Sequence, residues 1–109
     1  MSKNVRWVKL AGKREELFFD KKNIEPINVE GQKICIIKTT KGLKACSSIC
    51  PHASGDLSTG FLDKKENIVC PVHGYRFNLN HGRDTFNEGF FLKIFRIKEN
   101  DDGLFVGLE

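Results

Sequence analysis

Leu92-Lys93-Ile94-Phe95-Arg96-Ile97-Lys98, then Asn100-Asp101-Asp102-Gly103, then Leu104-Phe105-Val106-Gly107-Leu108, is the stretch from which the fold class is read. Apolar and charged residues alternate here with a period near two, which is the repeat of a strand with one buried face. The Asn-Asp-Asp-Gly cluster between the halves is a turn signal, so the two runs form a hairpin.

The same pattern continues toward the N-terminus. Val5 to Leu10 reads as an opening strand. Ile27-Asn28-Val29 and Lys33 to Thr39 read as two strands joined at Glu30-Gly31. Lys41-Gly42 turns the chain into Leu43 to Ser47. Asn67 to Cys70 and Tyr75 to Leu79 are short strands, and Asn80-His81-Gly82 turns the chain after them. Only Gly12 to Lys22 has a helical pattern, and it is too short and poorly capped to count as a helix. Many short strands with frequent turns predict an all-β fold, a small sandwich or barrel. At 109 residues the chain is expected to be one domain, spanning 1–109.

Composition narrows the function. No run approaches the ~20 apolar residues of a membrane span. Met1 to Leu10 carries Lys3, Arg6 and Lys9 and lacks the apolar run of a signal peptide, so a cytoplasmic location is expected. In that reducing compartment four cysteines are better read as metal ligands or buried thiols than as a disulfide framework. Residues 1–45 hold eleven basic and five acidic side chains, scattered along the segment. Scattered lysines without aromatic interleaving describe a solvated face, and nucleic acid is not an expected partner.

Residues 46–84 differ from the rest, being loop-rich and holding all three His and three of the four Cys. They read as a site-bearing subdomain inserted in a β base. Within them stand Cys50-Pro51-His52 and Cys70-Pro71-Val72-His73-Gly74. Each loop offers one thiolate and one imidazole, and the proline after each Cys stiffens it. Such a donor set selects zinc, copper or iron over magnesium or calcium. Mononuclear zinc sites usually bring paired ligands two to four residues apart, and Cys50 and His52 are closer than that. A two-iron centre would relieve the tight bite, because Cys50 and Cys70 can bind one iron while His52 and His73 bind the other. A zinc-stabilised, non-redox binding module remains the alternative from another class.

This stretch resembles the Cys-x-His…Cys-x-x-His signature of Rieske proteins. Thr59-Gly60-Phe61-Leu62 and Tyr75-Arg76-Phe77-Asn78 look like the family's text between and after the ligands. The resemblance is strong over about residues 43–84. It implies a Rieske-type β scaffold, one [2Fe–2S] cluster, and Cys50, His52, Cys70 and His73 as its ligands. High-potential members carry a disulfide over the cluster. The matching positions here are Gly55 and Val72, so that bridge is absent. Tyr75 stands where those proteins place a Ser that bonds a cluster sulfur, which points to the low-potential, ferredoxin-like branch. The family's proline-containing cover loop matches 85–91, where no proline occurs. Gly89 is expected to make that turn, and Phe90 or Phe91 the cover.

The resemblance implies a one-electron carrier and not an enzyme. The expected partners are a flavoprotein reductase and a terminal oxygenase or similar reductase, docked transiently by a monomer. The alternative within electron transfer is the small Rieske-like subunit of an assimilatory nitrite reductase. Among the remaining residues, Cys46 is read as an apolar residue at a strand end, Cys35 as core, and His81 as a turn residue tolerating positive φ. Trp7, Phe90 and Phe91 are expected to pack inward.

Overall fold

Ile34, Cys35, Ile36 and Ile37 are all fully buried, so the strand that carries them is covered on both faces. In the computed structural model, which describes residues 5–17, 19, 21–52 and 54–108, this strand lies between two apolar cores. Its neighbours in sequence therefore point to different places. Ile34 and Ile36 enter one core, Cys35 and Ile37 the other.

The described strands are β1 (Arg6–Ala11), β2 (Ile24–Val29), β3 (Gln32–Thr39), β4 (Gly42–Ser47), β5 (Phe61–Leu62), β6 (Ile68–Val69), β7 (Arg76–Phe77), β8 (Ile94–Asn100) and β9 (Gly103–Leu108). Six form an antiparallel sheet in the order β1-β9-β8-β4-β3-β2, and β5-β6-β7 form a small second sheet. The large sheet curls, because its two edge strands feed the same core. Val8 and Leu10 of β1 join Ile27 and Val29 of β2 there, with Phe95, Val106 and Leu108. Arg6 and Glu30 form an ion pair between the two edges of this half-barrel. The fold is all-β, as expected, and the helical elements among the described residues are the 3-10 turns Arg14–Glu16 and Leu57–Thr59.

The tight turns fall where the sequence places them. Val29 pairs with Gln32 across Glu30 and Gly31, whose φ angles of 52° and 85° are both positive. Asn100 pairs with Gly103 across Asp101-Asp102. Other boundaries differ. β2 begins at Ile24 and runs through Pro26, which an edge strand tolerates because its missing N–H can face outward. Leu92 lies before β8, and its N–H reaches the Gly82 carbonyl at 2.8 Å. It packs in the core with Cys50 and Cys70 rather than under the half-barrel. β5 (Phe61–Leu62) is absent from the sequence reading, and β6 and β7 are shorter than the strands expected there. Of the weak helical pattern over 12–22, only the Arg14–Glu16 turn forms, and residues 18 and 20 lie outside the described ones.

Trp7 corrects an expectation. It is half-buried and belongs to neither core, since Val8 and Leu10 take the inward face of β1. Its ring covers Gly107 and lies 4.4 Å beneath the Lys98 ammonium. One carboxylate ties the site end to this frame, and a second braces the site end itself. Glu66 accepts from the Thr40 N–H at 2.8 Å and its hydroxyl at 2.6 Å, and both bonds hold its carboxyl below the ordinary range. Burial alone would push the Asp63 carboxyl up. Bonds from Asn67, Arg76 and Lys65 outweigh it, so the net direction is down.

Candidate metal centre

Two loops of the same build hang from the site end. In the first, the Cys50 N–H donates to the Gly55 carbonyl at 2.9 Å and the Ser54 N–H to the Cys50 carbonyl at 2.9 Å. In the second, the Cys70 N–H donates to the Tyr75 carbonyl at 2.7 Å and the Gly74 N–H to the Cys70 carbonyl at 3.0 Å. Each loop is closed at its base by an antiparallel pair, Ile49 with Asp56 and Val69 with Arg76. Each needs a left-handed residue at the fifth position: Ser54 at φ 56° and Gly74 at φ 74°. The proline after each Cys suits such a turn, because it fixes φ and removes an N–H that the loop does not use.

The four expected ligand residues come together at the tips. Cys50 and Cys70 are 1% exposed, on the same core as Leu57, Ile68 and Phe77. His73 is exposed and His52 half-buried, their ring centroids 5.2 Å apart and their planes at 81°. None of the four cysteines is in a disulfide. A β-carbon on Gly55 would stand 2.7 Å from a Val72 methyl carbon and 2.9 Å from the Cys70 sulfur. The two positions that carry a bridge in high-potential Rieske proteins therefore do face each other, and glycine is what lets the loops close.

The Nδ1 atom of His52 is buried without a hydrogen-bond partner. Leaving a buried nitrogen so costs about 1–3 kcal/mol, a penalty that bonding to a metal removes. Among the described residues no three His, Cys, Asp or Glu side chains converge on one ion. Two buried thiols and two imidazoles, one of each on either loop, suit a group with more than one metal atom. The donors fit a [2Fe–2S] cluster of the kind in which two His replace two Cys on one iron.

Aromatic rings wall one side of the site. Tyr75 stacks on His52 with centroids 3.8 Å apart and planes at 19°. Phe90 meets His52 edge-on at 5.1 Å and Tyr75 at 5.6 Å, and Phe86 meets Tyr75 at 5.1 Å. The Tyr75 hydroxyl donates to Glu88 at 2.6 Å, and this bond, with burial and the negative charges nearby, pushes the phenol up to about 12. The phenol therefore keeps its proton and remains a donor. Gly89 makes the turn in this loop, at φ 90°, and Phe90 is the cover, as expected.

In place of a proline, Asp84 organises the segment. It is 3% exposed and accepts from the N–H groups of Glu88 and Phe90 at 3.0 and 2.8 Å. Those bonds, Glu88 first, hold its carboxyl below the ordinary value. The sequence reading named neither Asp84 nor Glu88. The usable signal was an Asp opening a run that contains Asn87 and Gly89.

The other singled-out residues lie apart from the ligand loops. Cys35 and Cys46 pair directly across β3 and β4, both fully buried. Their mutual hydrogen bond, then burial, pushes the Cys46 thiol well up, which marks it as an unreactive core group. His81 is in a turn, where its Nδ1 accepts from the Arg83 N–H at 3.1 Å, but the positive φ belongs to Gly82. Phe91 is 57% exposed, against expectation, with the Arg83 guanidinium 5.4 Å from its ring. Consecutive residues point to opposite sides, so Phe90 covering the site sends Phe91 outward.

The fold and the donor set define a small iron–sulfur protein with mixed Cys and His ligation. Residues 6–87 match the Rieske [2Fe-2S] domain, and the chain belongs to that family. Its cofactor is one Rieske-type [2Fe–2S] cluster. The ferredoxin component of the naphthalene 1,2-dioxygenase system of Pseudomonas putida is 28% identical over 79 residues, 72% of each chain. In a solved complex of reduced oxygenase and oxidised ferredoxin of carbazole 1,9a-dioxygenase, one chain superposes with a TM-score of 0.75 at 24% identity. The match covers 94% of this chain and 97% of that one. A chain assigned as the small subunit of an NADH-dependent nitrite reductase from Mycobacterium tuberculosis superposes with a TM-score of 0.79 at 14% identity, over 98% of both chains. Among the described residues no helix is long and apolar enough to cross a membrane.

Proposed function

We propose that this chain is a cytoplasmic, monomeric one-electron carrier that takes electrons from a flavoprotein reductase and delivers them to an oxygenase or similar terminal enzyme. In this reading Cys50 and Cys70 bind one iron, His52 and His73 the other, and residues 46–84 form a cluster-binding subdomain in a β base. The bound cluster supplies reversible one-electron exchange. The protein's part is to hold the donors and to set access. Buried thiols keep solvent from the sulfur side, while the exposed His73 gives a partner close approach to the imidazole side.

The observation that carries the proposal is the pair of matched loops, each presenting a buried thiol and an imidazole, one of them with an orphaned buried Nδ1. The naphthalene dioxygenase ferredoxin, similar over most of its length, supports an oxygenase as acceptor. That relative is a component of an oxygenase system, which supports reading this chain as an electron carrier rather than an enzyme.

The test is iron and sulfide content with the EPR spectrum of the dithionite-reduced protein, followed by stopped-flow mixing with a flavoprotein reductase and an aromatic-ring oxygenase. Two irons and two sulfides per chain, a rhombic Rieske signal and rapid two-way exchange are expected. One zinc and no signal after anaerobic reconstitution would overturn the reading in favour of a structural module. The near-complete superposition on the nitrite reductase small subunit supports a second reading, permanent association with a larger reductase. Stable co-elution with such an enzyme, in place of transient exchange, would select it.

A further inference from the structure

An imidazole on a short loop can rotate about its Cβ–Cγ bond, and a metal ligand must not. Metal-binding histidines are usually fixed by a carboxylate or carbonyl at their second nitrogen. At His52 the structure shows ring contacts in that role. Its buried Nδ1 is the nitrogen left for a metal, and three rings pack against the imidazole: Tyr75 stacked at 3.8 Å, Phe90 edge-on at 5.1 Å and His73 at 5.2 Å. Among the described ring contacts of His52, the stacked Tyr75 ring is the one parallel to the imidazole and so sets its plane.

The Tyr75 ring is itself only half-buried, so packing alone does not fix it. Its hydroxyl is tied to the Glu88 carboxylate at 2.6 Å, and Phe86 closes on its other contact at 5.1 Å. Glu88 is held in turn, because its N–H donates to the buried Asp84 carboxylate at 3.0 Å. A continuous line of contacts thus runs from a rigid loop anchor, through an exposed carboxylate and a phenol, to the imidazole plane.

We propose that Glu88 is a positioning residue that, through the hydroxyl and ring of Tyr75, fixes the His52 imidazole for iron binding. The carboxylate touches neither the imidazole nor the reacting atoms. Its effect passes through one hydrogen bond and one ring stack. This rests on the reading of His52 as a ligand.

The test uses the cluster-loaded protein and compares Tyr75→Phe, Glu88→Ala and Glu88→Gln with the parent. Two readouts are taken: the widths of the EPR lines of the reduced cluster, and the rate of iron release to a chelator. Tyr75→Phe keeps the ring but loses the hydroxyl, and Glu88→Ala removes the acceptor. Both should broaden the EPR lines and release iron about tenfold faster, the low end for losing a group that orients a metal ligand. Glu88→Gln removes the charge but keeps an oxygen that accepts the same bond, so it should match the parent. Parent-like lines and release in Tyr75→Phe would overturn the proposal. So would Glu88→Gln behaving as Glu88→Ala, since charge rather than positioning would then be the cause. His52→Ala in the same series separates the two readings: retention of the parent signal would mean that His52 is not a ligand, whatever Tyr75 and Glu88 do.

Discussion

The Asp84 carboxylate accepts a 2.8 Å hydrogen bond from the Phe90 N–H, and that bond sets the Phe90 ring against His52. The same carboxylate takes the Glu88 N–H and so directs the bend between them. A side chain thereby does what a proline does elsewhere in the family, restricting the backbone of the cover loop. The restriction is chemical rather than steric, so it depends on pH.

Asp84→Ala should release the 85–91 segment, lowering the chemical denaturation midpoint and speeding cluster loss, with Asp84→Asn intermediate. The folded protein holds the Asp84 carboxyl below its ordinary 3.8. Its stabilisation is therefore fully present above that value and is lost as pH falls through the lower, folded one. The gap in denaturation midpoint between parent and Asp84→Asn should be constant near neutrality and shrink below pH 3.8. A gap that widens with acid would contradict the assignment.

Replacing any one of His52, His73, Cys50 and Cys70 by Ala should remove the visible spectrum of the native cluster. Each substitution opens a coordination position on one iron. Absorption spectra and iron content of the four variants check this, and a parent-like spectrum in any one would remove that residue from the ligand set.

Gly55→Ala should block the closure of the two ligand loops. The new methyl would stand 2.7 Å from Val72 and 2.9 Å from the Cys70 sulfur. Val72→Ala removes the first clash, so the double variant should recover part of the lost cluster occupancy. Iron content of the two single variants and the double, read as a mutant cycle, would show coupling if the contact is as described.

The matched loops predict opposite effects at their left-handed positions. Ser54→Gly relieves a side chain held at φ 56° and should stabilise by about 0.5–1 kcal/mol after the extra chain entropy of Gly is counted. Gly74→Ala has open space around the new methyl, so its expected cost of about 1–2 kcal/mol is backbone strain alone. Denaturant titrations of both variants test the pair.

Cys35 and Cys46 are core, not ligands. The Cys35→Ala/Cys46→Ala double variant should keep the EPR signal and lose about 1 kcal/mol per site, the scale of deleting a small buried group. Loss of the signal with the fold intact would give one of them a place in the metal site.

The sequence alone determined what is encoded locally. The hairpins at Glu30-Gly31 and Asp101-Asp102 were legible because period-two alternation and turn residues act between near neighbours. The candidate ligands were legible because donor type, the following proline and the spacing within each loop are local properties. Position in space was another matter. Alternation says that Ile36 and Ile37 face opposite ways, but only the packing of two cores on β3 says which goes where. The same ambiguity hid the outward turn of Trp7 and Phe91. Tyr75 and Glu88 are 13 residues apart and Arg6 and Glu30 are 24 apart, so their bonds depend on how the chain folds back. Local patterns fixed the strands and the donors; long-range packing decided which side chains hold those donors still.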